Sequence, residues 1–246
     1  LKEMLRLMVH SRTFMQESAW RESIDDPANR LFARGPSYRL DAEVLRDIGL
    51  WASGLLSPHM GGAGVKPYQP DGMWKALAHP GSNTKQYVRD KGELLYRRSL
   101  YVYWKRTSPH PMMTLFDAPD RESSCVQRQR TNTGLQSLGL LNETQRVEMG
   151  RVLAERLLLE AESDQARVNL LFKLLASRDA SAVEQQSIAN LVNNLRTHYA
   201  ESEDDARALL AIGDAEQNDE LDPTDHAVWT LIAVTILASD PAILIY

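Results

Sequence analysis

From Asn142 to Leu237 the chain runs through a close succession of helical periods with start and stop signals between them, and no other stretch limits its fold so strongly. Asn142 with Gln145 has the form of a capping box opening NETQRVEMGRVLAERLLLEA, and Ser181 with Glu184 repeats it for SAVEQQSIANLVNNLRTHY. Between them Val168, Leu171, Leu174 and Leu175 lie on one stripe. Ser202 caps a short helix that stops at Gly213, and Asp222-Pro223 opens the last helix with proline at its first position, where a missing N–H costs nothing. Five helices joined by short loops predict an α-helical bundle over residues 142–246.

The front of the chain is less regular. Leu1, Met4, Leu5, Met8 and Val9 sit at helical spacing that ends near Ser11, the tail of a longer helix. The opening LKEMLRLMVHSR lacks both an initiator Met and the order of a signal peptide, and reads as part of a longer protein. After the breakers Asp26-Pro27 and Arg34-Gly35-Pro36, Asp41 offers an N-cap to DAEVLRDIGLWASGLL, whose apolar face is Val44, Leu45, Ile48, Trp51, Leu55 and Leu56. Ser57 to Gly92 is rich in Gly and Pro and predicts a long ordered loop, a kind that is often functional. Tyr101, Val102, Tyr103 and Trp104 favour an extended segment by propensity, with a helix as the alternative for RRSLYVYWKR. The expected fold class is therefore mainly α in a single domain, 1–246. A loop-rich part (1–141) with a short hairpin packs on the bundle (142–246).

Composition narrows the class by exclusion. At 246 residues, 43% hydrophobic and 25% charged, the chain is ordinary for a folded globular protein, neither collagen-like nor disordered. Its most apolar run, Trp229 to Leu237, is about half of a membrane span. The net charge of −5 hides an asymmetry, since residues 1–141 hold 20 basic and 14 acidic residues while 142–246 hold 8 and 19. Such a split suits an anionic partner at the front or two faces that attract each other. Cys125 stands alone, so neither an intrachain disulfide nor a cysteine zinc site can form. The absence of CxxCH excludes a covalently held c-type haem in this chain, and the six histidines show neither HxH nor HExxH spacing.

Reactive side chains concentrate between Tyr96 and Asn132. There Arg97, Arg98, Lys105, Arg106, Arg121, Arg128 and Arg130 outnumber Asp117, Asp120 and Glu122, interleaved with Tyr101, Tyr103 and Trp104. Aromatic faces beside guanidinium groups suit a sugar ring bearing carboxylate or sulfate, because the ring stacks while arginine takes the anion with two parallel bonds. The candidate ligand residues are Tyr101, Trp104, Arg106, Asp117, Arg121, Arg128, Arg130 and Asn132. The competing reading pairs these arginines with acids of the bundle. Nucleic acid fits worst of these partners, since a pI near 5.7 lies far below the basic footprint of domains that bind it. Thr131 or Thr133 caps a short helix in TNTGLQSLGLLN, with Asn132 and Gln136 beside its first amides. A catalytic reading makes Cys125 a nucleophile with His110 and Asp117 as base and orienter. The other reading, preferred for a lone cysteine, makes it a buried and inert hydrophobe, with His198 and His226 structural.

These segments also carry a resemblance. ANRLFARGPSYRLDAEVLRD, GGAGVKPYQPDGMW, LYRRSLYVYWKRTSPHPMMTLFDAPDRESSCVQRQRTNTGLQSLGLLN and LDPTDHAVWTLIAVTIL together resemble the C-terminal domain of unknown function of large secreted planctomycete proteins. In those proteins the domain follows a cytochrome c-like domain and a second uncharacterised one. The likeness covers nearly the whole chain and implies export to the periplasm or cell surface, haem on a neighbouring domain with no cofactor in this chain, and a link to polysaccharide breakdown. Gly134 stands where that family has proline, which loosens the start of its helix, and the end ASDPAILIY also departs from the pattern. The expected function is a non-catalytic ligand-binding or interaction module of an extracytoplasmic cytochrome c-like protein. Its partners would be that cytochrome-like domain and an acidic glycan. The alternative is a carbohydrate-modifying enzyme using the Arg, Asp and Cys cluster.

Overall fold

A computed structural model describes residues 1–245. In chain order the elements are α1 (Lys2–Val9), β1 (Tyr38–Arg39), α2 (Ala42–Ser53) and α3 (Met73–Leu77), then two 3-10 turns (Gly92–Tyr96 and Ser99–Tyr101). There follow α4 (Pro111–Leu115), α5 (Gly134–Asn142), α6 (Thr144–Glu160), α7 (Asp164–Ala176), α8 (Ala182–Glu201), α9 (Glu203–Leu210), α10 (Pro223–Leu237), α11 (Asp240–Ile243) and β2 (Leu244–Ile245). The chain is mainly α, as its periodicity predicts, and no described helix is long and apolar enough to cross a membrane.

Two compact units divide the chain. One comprises residues 1–40 with the chain end from Ile243, the other Asp41–Ala242. In the smaller unit β1 and β2 pair antiparallel, Tyr38 opposite Ile245 and Arg39 opposite Leu244. The strands come from opposite ends of the sequence, so the pair is not the expected hairpin. Asp26 organises the loop before β1, its buried carboxylate accepting the backbone N–H groups of Arg30 and Leu31 at 2.7 Å each. Gly35 donates its N–H to the Glu17 carbonyl, and a Cβ there would lie 2.3 Å from the Gln16 oxygen, so the approach requires glycine.

The larger unit is built on α6 and α10. α10 is apolar all round and buries Trp229, Ile232, Ala233 and Leu237, which makes it the central helix. α2 packs on α6, and α8 and α9 pack on α10. The five predicted helices of the back third are α6 to α10, with corrections at their starts. The box of Ser181 and Glu184 is present. α5 runs through Asn142, whose amide bonds the Leu138 carbonyl, so the N-cap of α6 is Glu143, which accepts the Arg146 N–H at 2.9 Å. The buried face of α2 is also rotated from the expected one. Leu45, Gly49, Leu50, Ala52 and Arg46 are buried while Val44 and Trp51 are exposed, because Arg46 finds interior acceptors.

Tyr101 to Trp104 is not a strand. Ser99–Tyr101 forms a 3-10 turn and Val102 makes a single parallel bridge with Val65. Val65 donates to the Tyr101 carbonyl and accepts from Tyr103, both at 2.7 Å. The next donor in such a ladder would be residue 67, a proline without an N–H, so pairing stops after one step.

Candidate functional site

The aromatic and basic residues singled out in the sequence all lie in the larger unit, but they divide into engaged and free groups. Arg97 is buried and donates to the carbonyls of Gly61 and Ala63, its guanidinium 3.9 Å from the centre of the Tyr101 ring. The Tyr101 hydroxyl accepts the Gly61 N–H at 2.7 Å. Tyr101 and Arg97 thus fasten the HMGGAG loop, a structural duty that leaves Tyr101 little to offer a ligand. Asp117, at φ +62°, accepts from the Thr131 backbone at 2.8 Å and from its hydroxyl at 2.9 Å. This clasp positions the N-terminus of α5, where Thr133 and Gln136 form a capping box. Gln136 is buried and donates to the Leu115 carbonyl and the Thr131 hydroxyl, while Asn132 is exposed.

Arg128 and Arg130 find acids, but not those of the bundle. Arg128 grips the Glu43 carboxylate through both terminal nitrogens, at 2.6 and 3.1 Å, and lies 3.4 Å from Asp41. Arg130 lies 3.6 Å from Asp41. Asp41 makes no side-chain cap bond to α2. Burial works against the Glu43 carboxylate, yet the hydrogen bonds from Arg128 outweigh it and hold the pKa below the ordinary glutamate value. These two arginines clamp the 117–130 segment to the start of α2.

Trp104, Arg106 and Arg121 make no ion pair among the described residues. The Trp104 indole N–H donates to the Asp120 carbonyl at 3.0 Å, and the exposed Arg121 guanidinium sits 4.8 Å from the ring centre. Arg106 is exposed and makes no ion pair among the described residues. An open depression of about 550 Å³ is bounded by Asp117, Asp120, Ser123, Cys125, Arg128 and Gln129 among others, and none of Trp104, Arg106 and Arg121 lines it. Cys125 is exposed there, contrary to the expectation of a buried thiol, in a run, residues 121–127, that is exposed throughout. The catalytic triad of the sequence reading is not assembled. His110 is buried, with Nε2 2.7 Å from the Tyr68 carbonyl, and burial pushes its pKa down to about 4. Asp117 holds Thr131 rather than a histidine.

Sequence reasoning missed the buried acid at the junction of loops and bundle, Glu148. It is fully buried in α6, and one oxygen accepts from the hydroxyls of Tyr68 (3.0 Å) and Tyr96 (2.9 Å) and from the N–H groups of Asp214 (2.6 Å) and Ala215 (2.8 Å). Burial and the neighbouring carboxylate push both tyrosine pKa values far up, so neither hydroxyl is an acid at neutral pH. Glu148 ties the loops to the bundle. Its only signal was Tyr68 inside the Gly- and Pro-rich loop, since a glutamate within an amphipathic helix reads as a surface residue.

Among the described residues no group of three or more His, Cys, Asp or Glu is placed to hold a metal ion. No curated protein and no solved structure matches the chain. A family model described as PSD1, protein of unknown function (DUF1553), matches residues 1–192, a span that takes in α2, the whole aromatic and basic segment and the first half of α8. The chain therefore belongs to the DUF1553 family of proteins of unknown function.

Proposed function

We propose that the chain is a non-catalytic binding module in which Trp104, Arg106 and Arg121 take an anionic ligand, an acidic glycan being the chemistry they fit best. The observation that carries this reading is the contrast within one basic segment. Arg128 and Arg130 are spent on Asp41 and Glu43, whereas Arg106 and Arg121 make no ion pair among the described residues, although Arg121 lies near enough to Glu43 to help hold its pKa down. Exposed cations beside an indole bind carboxylate or sulfate by charge-assisted hydrogen bonds, and a sugar ring would stack on the indole face opposite Arg121. The resemblance adds the setting, an extracytoplasmic polypeptide whose cytochrome c-like domain carries haem and which takes part in polysaccharide use. This module would present the glycan to, or dock against, that domain.

The test is a glycan array on the chain followed by calorimetry with oligogalacturonide and a sulfated oligosaccharide. Arg106→Ala with Arg121→Ala should weaken binding by about tenfold or more and leave stability within about 0.5 kcal/mol, as befits exposed side chains. Arg128→Ala should instead spare binding and cost about 1 kcal/mol through the lost Glu43 pair. Unchanged affinity in the double variant would remove the proposal.

A further inference from the structure

The long Gly- and Pro-rich loop after α2 carries cations of its own. Its single bridge, Val65 with Val102, sets Lys66 beside Tyr103, and α3 supplies Trp74 to the same place. The Trp74 ring centre lies 5.7 Å from that of Tyr103 and 4.9 Å from that of Tyr87, which meets it edge-on at 78°. Trp74 is buried and Tyr87 donates its hydroxyl to the Pro67 carbonyl, so both are structural, whereas Tyr103 is left 42% exposed.

Two half-buried ammonium groups stand over these rings. Lys66 Nζ is 5.8 Å from the Trp74 centre and 5.5 Å from that of Tyr103, and Lys105 Nζ is 4.5 Å from Trp74. Since both are measured from one ring, they lie at most about 10 Å apart, roughly one screening length at about 0.1 M salt. Lys105 gives one proton to the Thr84 carbonyl at 2.7 Å. Lys66 Nζ makes neither a hydrogen bond nor an ion pair among the described residues. Asp90, which accepts the Lys66 backbone N–H at 2.7 Å, pairs with neither ammonium. A half-buried cation has given up part of its water, and ring faces return only some of what was lost. Lys66 therefore holds three unspent donors at a set position, with a second positive charge behind them.

The kind of donor describes the ligand. An ammonium is a compact point charge that suits a tetrahedral phosphate, whereas a planar carboxylate is better matched by a guanidinium fork. Two positive charges also match the roughly −1.5 to −2 of a phosphate monoester near neutral pH. We propose that Lys66, backed by Lys105 and flanked by Tyr103, binds a phosphate monoester whose cyclic or apolar group lies on the exposed part of the Tyr103 ring. The site is distinct from the anion surface of Trp104 and Arg121. Tyr103 and Lys105 turn from their extended segment toward Trp74, while Trp104 between them turns to Asp120, as alternate residues of extended backbone do.

The experiment is calorimetry on the chain carrying Arg106→Ala and Arg121→Ala, which disables the other basic surface, with phenyl phosphate, inorganic phosphate and benzoate as probes. One phenyl phosphate site is expected, about tenfold tighter than inorganic phosphate through Tyr103 and about tenfold tighter than benzoate through the second charge. Lys66→Gln should weaken phenyl phosphate by about tenfold or more and Lys105→Gln by about threefold at an unchanged melting temperature, while Lys66→Arg, which keeps the charge, should retain binding. Tyr103→Ala should erase the preference for phenyl phosphate over inorganic phosphate. Absence of saturable binding, benzoate binding as tightly as phenyl phosphate, or unchanged affinity in Lys66→Gln overturns the proposal. Equal affinity for inorganic phosphate overturns the ester. If the parent chain binds phenyl phosphate and the two arginine substitutions abolish it, the phosphate belongs to the Trp104 surface and the proposal also falls.

Discussion

Arg46 and Arg146 are buried in the core, Arg46 with Asp47 3.9 Å away and Arg146 with no ion pair among the described residues, and backbone oxygens take most of their hydrogen bonds. Arg46 donates to the carbonyls of Leu95 and Arg97 and to Gln145, and Arg146 to the carbonyls of Leu45 and Leu237. Burial lowers both guanidinium pKa values to about 10, so both stay cationic at neutral pH. Either charge left without its carbonyls would be costly, which explains why these arginines join segments about fifty to a hundred residues apart. His110 is one of two buried histidines whose pKa burial lowers, His226 being the other, and it is the one pushed to about 4. Its pKa drops from 6.5 to about 4 on folding through desolvation, with the bond to Tyr68 opposing. The neutral ring therefore contributes stability that is complete above pH 6.5 and is lost as the pH falls from there toward 4, about 3 kcal/mol over that window. Urea unfolding of the parent chain and of His110→Gln across this range should show a shallower acid loss in the variant. Parallel curves would show that His110 is not the group responsible. None of this was legible from the residues alone, because an arginine or histidine in an amphipathic stretch has the same pattern whether its acceptors lie in solvent or in the core.

At the scale of elements, the crossing of α6 and α10 sets the packing of the larger unit. It closes on Gly150, where a Cβ would lie 2.3 Å from Val234 Cγ2, 3.2 Å from the Val234 nitrogen and 3.3 Å from the Thr230 carbonyl. Alanine is the better helix former by about 1 kcal/mol, but here the added methyl meets backbone as well as side chain. Gly150→Ala should therefore destabilise by about 1–3 kcal/mol despite that propensity. Val234→Ala in the same chain should recover part of the loss, since it removes the nearest methyl and not the two backbone atoms. A double-mutant cycle by chemical denaturation measures this, and strict additivity would contradict it. The same elements show how far periodicity reaches. α7, α8 and α10 follow from apolar spacing and caps because both signals are local. The α5–α6 boundary does not, because Asn142 and Glu143 are both plausible caps and the choice rests on how α5 ends. The extended propensity of Tyr101 to Trp104 loses to Pro67, a residue more than thirty positions earlier that ends its one bridge.

The whole molecule distributes its core unevenly. In the unit Asp41–Ala242 a continuous cluster joins Leu50, Leu95, Met149, Leu153, Phe172, Trp229 and Ile232. In residues 1–40 only Asp26, Ala33 and Gly35 are buried, and the apolar residues of α1 are all exposed. Amides of α6 and α10 should accordingly exchange with solvent slowest and those of α1 fastest, because local opening follows the apolar contacts that resist it. Hydrogen-exchange mass spectrometry reads this directly, and protection of α1 equal to that of α10 would contradict it. What the sequence determined by itself was the helical class, the order of the back-third helices, the exclusion of covalent haem and the family likeness, since each rests on neighbours within a turn or on an unbroken motif. Tertiary structure alone decided which charges are surface and which are clamps. Arg128 meets Glu43 across 85 positions, and Tyr68 and Tyr96 meet Glu148 across 80 and 52. A buried charge is stable only beside partners that the folded chain brings to it, and no local spacing records where in the sequence those partners stand.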